Sequence, residues 1–273
     1  MTGCLAASIA PRQQSVATAA RYSVIHSMLP KQTRDVAFSF VVASMRYVGL
    51  RLVRKAPFLF RMRFKQDFLR RLPPGAKLLD VGCGNDSPGL IKRLRPDVHY
   101  TGIDVGDYNQ PSSAIDLADE YLICDPREFA ERISTLGPFD AIISAHNLEH
   151  CNEPYEVVCS MISVLKRGGA LYLSFPCEDS VSFPSRVGTL NFYDDPTHQH
   201  VISFDRIIGY LGDGGCSIQF ASRRYRPLLL FLLGFFSEPK SISSNRVIDG
   251  TWAYWGFESL IWAKRVAPGK FDR

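Results

Sequence analysis

The most constraining stretch of the chain is Leu78-Leu79-Asp80-Val81-Gly82-Cys83-Gly84-Asn85, an apolar run that closes on an acid and then on two glycines one residue apart. Glycine lets backbone turn sharply and come within contact distance of a ligand, because no Cβ holds it off. Twenty residues beyond Gly84, a second apolar run ends in Gly102-Ile103-Asp104. A carboxylate there suits the two hydroxyls of a ribose. Strand, glycine turn, helix, strand and terminal acid, in that order, predict a parallel βαβ unit that holds a nucleoside at its strand ends.

The texture continues from Lys77 onward as short apolar runs alternating with amphipathic stretches. The spacing predicts strands over Lys77–Val81, Val98–Asp104, Glu120–Cys124, Phe139–Ser144, Ala170–Phe175, Ser217–Ser222 and Glu258–Lys264. The expected fold is therefore α/β, a doubly wound seven-stranded sheet. The late strands read as closely packed, with no room for a helix between the last pair, which suits an antiparallel final hairpin. One helix is well delimited: Asn152 can cap it, Pro154 suits its first turn, and Gly168-Gly169 follow Lys166-Arg167 at its basic end. Upstream, residues 35–72 read as N-terminal helices interrupted at Pro57. Residues 1–34, which hold no acid, read as a disordered tail with some likeness to a transit peptide. The domain proper is expected over 73–273, with an irregular insertion at 176–200 of the length that usually serves function.

The ligand follows from what is missing. A dinucleotide fold wants a third glycine so that pyrophosphate can rest on the helix N-terminus, and that position is Ser87, with Asp86 beside it. An extra carboxylate repels pyrophosphate but welcomes the ammonium and sulfonium groups of S-adenosylmethionine. With LLDVGCGN, GID at Gly102 to Asp104, FDAIISAHNLEHCNEP at Phe139 to Pro154 and LKRGGALYLSFP at Leu165 to Pro176, the region from Lys77 to Pro176 resembles a class I S-adenosylmethionine-dependent methyltransferase domain. The resemblance is to the broad, Rossmann-like kind found in ubiquinone-biosynthesis and glycan-modifying enzymes. It implies that Asp80, Gly82, Cys83 and Gly84 line the methionine end of the cofactor, that Asp104 meets the ribose, and that Asp125, or Asp116 in its stead, faces the adenine.

Four of the six histidines form two short clusters, His146 with His150 and His198 with His200. His146 directly follows the fourth strand and is assigned to the cofactor. In a helical turn His146, Glu149 and His150 would share one face. The related quinone O-methyltransferases carry acid-x-x-Glu-His at this place, and a metal has been associated with that pattern. Here His146 replaces the first acid, and a purely orienting role for the turn is preferred, with no metal. Asp195-Pro196-Thr197-His198 is similar to a motif of methyltransferases encoded with bacterial polysaccharide genes, where the insertion covers the acceptor. His198 and His150 are the candidate catalytic residues, with His198 as general base, oriented by Asp195, and with Phe192 and Tyr193 placed to stack on an acceptor ring. The expected reaction is O-methylation of a glycan or glycolipid hydroxyl, with a quinone or phenol as the alternative acceptor.

Composition narrows the rest. The formal charge of +5 is too mild to argue for nucleic acid. The excess is concentrated between Arg46 and Arg71, where nine cations face only Asp67 and interleave with Phe58, Phe60, Phe64 and Phe68, a pattern that suits peripheral contact with an anionic membrane. Seven scattered cysteines without a C-x-x-C pair indicate neither a disulfide framework nor a zinc knuckle, and a cytoplasmic setting fits. The longest apolar run, Leu228 to Phe236, falls far short of the roughly 20 residues of a membrane span. Two rival readings are a dinucleotide-dependent nucleotide-sugar oxidoreductase, opposed by Ser87 and Asp86, and a degenerate fold acting as a membrane-surface adaptor, opposed by the intact Asp80 and Asp104.

Overall fold

A computed structural model describes residues 62–266. The tail at 1–34, the break at Pro57 and most of the basic segment from Arg46 lie outside the described residues. Seven strands form one sheet in the order β3-β2-β1-β4-β5-β7-β6. They are β1 (Lys77–Val81), β2 (His99–Asp104), β3 (Glu120–Ile123), β4 (Phe139–Ala145), β5 (Leu165–Pro176), β6 (Cys216–Ser222) and β7 (Glu258–Arg265). The first five run parallel, and β7 inserts antiparallel between β5 and β6. The doubly wound α/β sheet with an antiparallel last pair is thus as expected.

Both faces of the parallel strands are covered, which is why β1 and β4 read as unbroken apolar runs. Alternate residues point to opposite layers. Leu79, Val81 and Ile142 belong to one core with Val158 and Met161 of the helix Pro154–Val164 and Ile207 of the helix Phe204–Asp213. Leu78, Ala141 and Ile143 belong to the other, with Phe68 of the helix α1 (Lys65–Leu69) and Ile91 of the helix α2 (Ser87–Leu94). Burial of Val157, Val158, Met161 and Ile162 holds Pro154–Val164 helical although its β-branched residues have little intrinsic helix preference.

Three local expectations are corrected. The cap of that helix is Glu153 rather than Asn152, with Pro154 fixing the first turn. Lys166 and Arg167 do not end the helix, because β5 begins at Leu165 and Lys166 Nζ pairs with Asp140 Oδ1 at 2.7 Å. The last two strands are not joined tightly either. Their connection carries the helix α7 (Leu228–Ser244), which takes up the apolar run from Leu228, and the short helix α8 (Thr251–Trp255). Among the described residues no helix is long and apolar enough to cross a membrane.

The described end of the basic aromatic segment packs inward. The Phe68 ring meets Trp262 at 5.6 Å and Phe64 meets Tyr225 at 5.6 Å, while the Arg71 guanidinium lies 5.1 Å from the Trp262 ring. Phe64 and Phe68 are therefore part of the domain's own packing.

Candidate active site

The chain leaves β3 at one side of the sheet and resumes with β4 on the other side of β1, so a crevice opens at the carboxyl ends of β1 and β4. The glycine turn sits there. Gly82 has φ of +76°, a conformation that suits glycine, and a Cβ on it would run into the Asn147 side chain. Gly84 lies under a loop, where a Cβ would stand 3.1 Å from the Tyr108 carbonyl oxygen. That loop is fastened to the turn from both directions. The Asn85 amide donates to Tyr108 O at 2.9 Å, the Asp86 amide to Gln110 Oε1 at 2.9 Å, and Gln110 Nε2 to Cys83 O at 2.5 Å. Cys83 itself is buried, and burial pushes its thiol far above the ordinary range.

Asp104 ends β2 directly beside this turn and is 6% exposed. Its Oδ2 accepts the Gly84 amide at 3.0 Å and its Oδ1 the Val105 amide at 2.7 Å. Burial raises its pKa, opposed by those amides. A carboxylate has about four acceptor positions, so capacity remains for a ribose hydroxyl. Asp80 is buried behind the turn, where Ser87 Oγ donates to its Oδ2 at 2.5 Å and Tyr100 OH at 2.9 Å. Lys65 Nζ in turn donates to Ser87 Oγ at 3.0 Å. Ser87 in place of a third glycine is thus a working part of the site, tying the buried acid to α1. Asp125, one residue beyond Cys124, whose amide donates to Asp104 O at 3.1 Å, is exposed and paired with Arg127 at 3.0 Å, which holds its carboxyl down at about 2. Asp116 is exposed at the end of the short helix Ser112–Ile115.

The histidines are redistributed relative to the helical-turn reading. Leu148–His150 is a single 3₁₀ turn, and His146 precedes it with φ of +50°, a left-handed conformation that is strained outside glycine and asparagine. His146 Nε2 lies 2.8 Å from Glu258 Oε1, and its Nδ1 lies 3.2 Å from Glu149 Oε1. The ring stacks on Phe257 and faces Trp252. Burial opposes charge on this imidazole, but the two carboxylates outweigh it and raise the pKa to about 10. His150 turns the other way. Its Nδ1 is 3.2 Å from Thr197 O, and its ring centroid is 4.8 Å from that of His198. The insertion therefore closes onto the turn after β4, and the Gln199 amide donates to Glu149 O at 2.8 Å. Within the insertion Phe192 is 2% exposed with its ring against His198, so only Tyr193, 70% exposed, is open for stacking. Asp195 Oδ2 stands 3.9 Å from His198 Nε2, and its shorter contact is with Thr197 Oγ1 at 2.6 Å.

A cavity of about 140 Å³ opens at this end of the sheet, lined by Phe64, Tyr225, Pro227, Leu230, Trp252 and Ala253, with Glu258 as its charged member. Glu258 is opposite Pro176, the last residue of β5, and joins the cavity to His146. Sequence reading missed Glu258 and Asn147. Glu258 opens an ordinary strand pattern, and Asn147 gave no signal beyond its place in the motif after β4.

A family profile described as a methyltransferase domain matches residues 54–209, more than half of the chain. The chain belongs to this methyltransferase family. The methyltransferase is similar to a ubiquinone biosynthesis O-methyltransferase of Caulobacter vibrioides, 31% identical over 118 residues, 41% of this chain and 46% of the relative. It is also similar to the 27-O-demethylrifamycin SV methyltransferase of Amycolatopsis mediterranei, 30% identical over 43% of each chain. The aligned region thus spans less than half the length of these relatives. A chain from the complex between the Haloferax volcanii Trm112 methyltransferase activator and a methyltransferase shares the fold, with a TM-score of 0.51 and 13% identity over 79% of this chain and 93% of its own. S-adenosylmethionine is the cofactor that the family and fold imply. The turn fits it in part: Asp104 keeps acceptor capacity at the strand end beside Gly82 and Gly84, while Asp86, expected to add free negative charge, is paired with Arg93 at 2.7 Å.

Proposed function

We propose that this methyltransferase moves a methyl group from S-adenosylmethionine to a hydroxyl on an apolar, ring-bearing acceptor of the phenol or quinol class. The observation that carries the reading is the cavity at Glu258. Its wall of Phe64, Tyr225, Pro227, Leu230 and Trp252 suits a flat apolar body. Its volume of about 140 Å³ is close to the ~150 Å³ that admits a single benzene ring in an engineered apolar cavity. Two relatives named for O-methyl transfer in ubiquinone biosynthesis and for 27-O-demethylrifamycin support the oxygen acceptor. The glycan reading draws less support, because Phe192 is committed to the interior of the insertion and one exposed tyrosine is a thin stacking surface.

The cofactor supplies a methyl group on a cationic sulfur, an electrophile that needs alignment more than activation. Asp104 and the backbone of Gly82 to Gly84 would hold it at the crevice, and the cavity wall would orient the acceptor ring. Such orientation can account for roughly 7 to 11 kcal/mol of a barrier. Glu258, the carboxylate of the cavity wall, would take the hydroxyl proton, with His146 holding its Oε1 at 2.8 Å. His198 does not line this cavity, so the reading gives that proton to Glu258 instead. Incubation with radiolabelled S-adenosylmethionine and matched panels of simple phenols, hydroquinones and glycosides tests the reading. Label is expected in the phenol or hydroquinone panel. Label confined to glycosides would return the acceptor to the glycan class.

A further inference from the structure

The run Ser222-Arg223-Arg224-Tyr225-Arg226-Pro227 joins β6 to α7 and crowds three cations into four positions. Two of them are answered by carboxylates. Arg223 pairs with Glu178 at 3.5 Å and with Asp205, and Arg224 Nη1 pairs with Asp179 Oδ2 at 3.0 Å. Arg226 is exposed and forms no ion pair among the described residues; its Nη2 donates instead to the backbone oxygen of Trp255 at 3.0 Å. Arg224 Nη2 donates to the same oxygen at 2.5 Å. Two like charges therefore meet at the carbonyl that ends α8.

Solvated arginines with room to move spread away from one another, and these two are held together. Gly256 makes the approach possible, because a Cβ there would stand 2.6 Å from Arg226 Nε and 2.9 Å from Arg224 Cβ. Burial and the neighbouring Arg224 both lower the pKa of Arg226, and Arg224 Nε is buried without a hydrogen-bond partner among the described residues. An anion at this place would relieve the repulsion. The pair also borders the acceptor cavity. Tyr225 and Pro227, the chain neighbours of Arg226 on either side, both line it, as do Trp252 and Ala253 of α8. The Arg226 guanidinium lies 6.0 Å from the Phe231 ring, one residue beyond Leu230 of the same wall.

We propose that Arg226, with Arg224 beside it, binds an oxyanion, a carboxylate or a phosphate, that the acceptor carries next to its ring. A guanidinium presents paired N–H donors that match two oxygens of either group, which gives direction as well as charge. The inference rests on the reading of the cavity as the acceptor site. It narrows the acceptor from an apolar ring to an apolar ring with one acidic substituent.

The test uses the full chain and three probes built on one ring: gentisate, its neutral methyl ester, and hydroquinone monophosphate. Binding is read by calorimetry with S-adenosylhomocysteine present, so that it does not depend on turnover, and methyl transfer is read separately. Wild type should bind one of the anionic probes at least about tenfold more tightly than the ester, as a charged hydrogen-bond pair allows. The tighter of gentisate and the monophosphate tells a carboxylate from a phosphate. Arg226→Gln should bring the preference close to one, and Arg226→Lys, which keeps the charge without the paired donors, should retain part of it. S-adenosylmethionine affinity checks that each variant is folded. Equal binding of all three probes by wild type, or a preference that survives Arg226→Gln, would overturn the inference. Transfer to the ester with no anion preference would do so while leaving the phenol and quinol reading intact. Anion preference lost in Arg226→Gln, with no transfer to any probe, would uphold the arginine site and remove that reading.

Discussion

His146, the residue after β4, and Glu258, the first residue of β7, meet at 2.8 Å although 112 positions separate them. The antiparallel placement of β7 against β5 makes this possible, because it brings the start of β7 to the carboxyl ends of the parallel strands. The contact joins the motif that follows β4 to the wall of the acceptor cavity. It also explains the left-handed backbone at His146, which packing and two carboxylates hold in place.

If Glu258 takes the acceptor proton, Glu258→Gln should lower kcat by about 10² to 10⁴ while leaving cofactor affinity nearly unchanged. Steady-state kinetics together with calorimetry separate the two. A variant with near-normal kcat would remove Glu258 from the proton path.

Asp104→Ala should weaken S-adenosylmethionine binding by about 1 to 3 kcal/mol, since ribose hydroxyls lose a charged partner. The same side chain accepts the Gly84 and Val105 amides, so Asp104→Asn, which keeps one acceptor oxygen, should lose less. Gly84→Val should abolish binding by driving a branched side chain against Tyr108. Unchanged affinity in folded Asp104→Ala would contradict the assignment.

The buried Asp80 has a stability consequence with a definite sign. Burial raises its pKa, and Lys65, Ser87 and Tyr100 oppose that only in part. A carboxyl whose pKa is higher in the folded than in the unfolded state favours folding below its unfolded value, about 3.9, and withdraws that contribution as pH rises through the folded value. Asp80→Asn cannot titrate. The stability of Asp80→Asn minus that of wild type should therefore increase from about pH 4 toward neutrality, measured by urea midpoints, even as cofactor affinity falls. A difference independent of pH would show that Asp80 is not perturbed.

Leu230→Asp places a second carboxylate on the wall of the cavity that Glu258 also lines. Loss of a leucine contact of roughly 1.5 to 3 kcal/mol should raise KM for an apolar acceptor by about ten- to a hundredfold, with the cofactor's Kd unchanged. Equal KM in the two proteins would place the acceptor elsewhere.

The sheet was legible because β1, β2 and β4 are buried on both faces and read as apolar runs, closed after β1 by a glycine and at the end of β2 by an acid. β1 was read to the residue, and Asp104 and the glycine turn follow from the same local logic. Contacts between distant segments were not legible. Nothing local tells that Glu258 meets His146, that His198 folds back to His150, or that Phe192 turns inward rather than toward an acceptor. The connection between β6 and β7 was misread for a related reason. The run Leu228 to Phe236 has no clear period, and its helix shows only in the tertiary structure, where α8 packs against it. Ser87 was read as a missing glycine, and its hydrogen bond to Asp80 could not be inferred from spacing alone.

The most direct measurement is methyl transfer itself: the purified full chain, S-adenosylmethionine and a simple hydroquinone, with the products resolved by mass spectrometry. The account predicts a mono-O-methyl ether and an equal amount of S-adenosylhomocysteine, both reduced in Asp104→Ala at limiting cofactor and strongly reduced in Glu258→Gln. A wild-type chain that binds S-adenosylmethionine yet methylates neither hydroquinones nor phenols, and modifies only sugar hydroxyls, would contradict it.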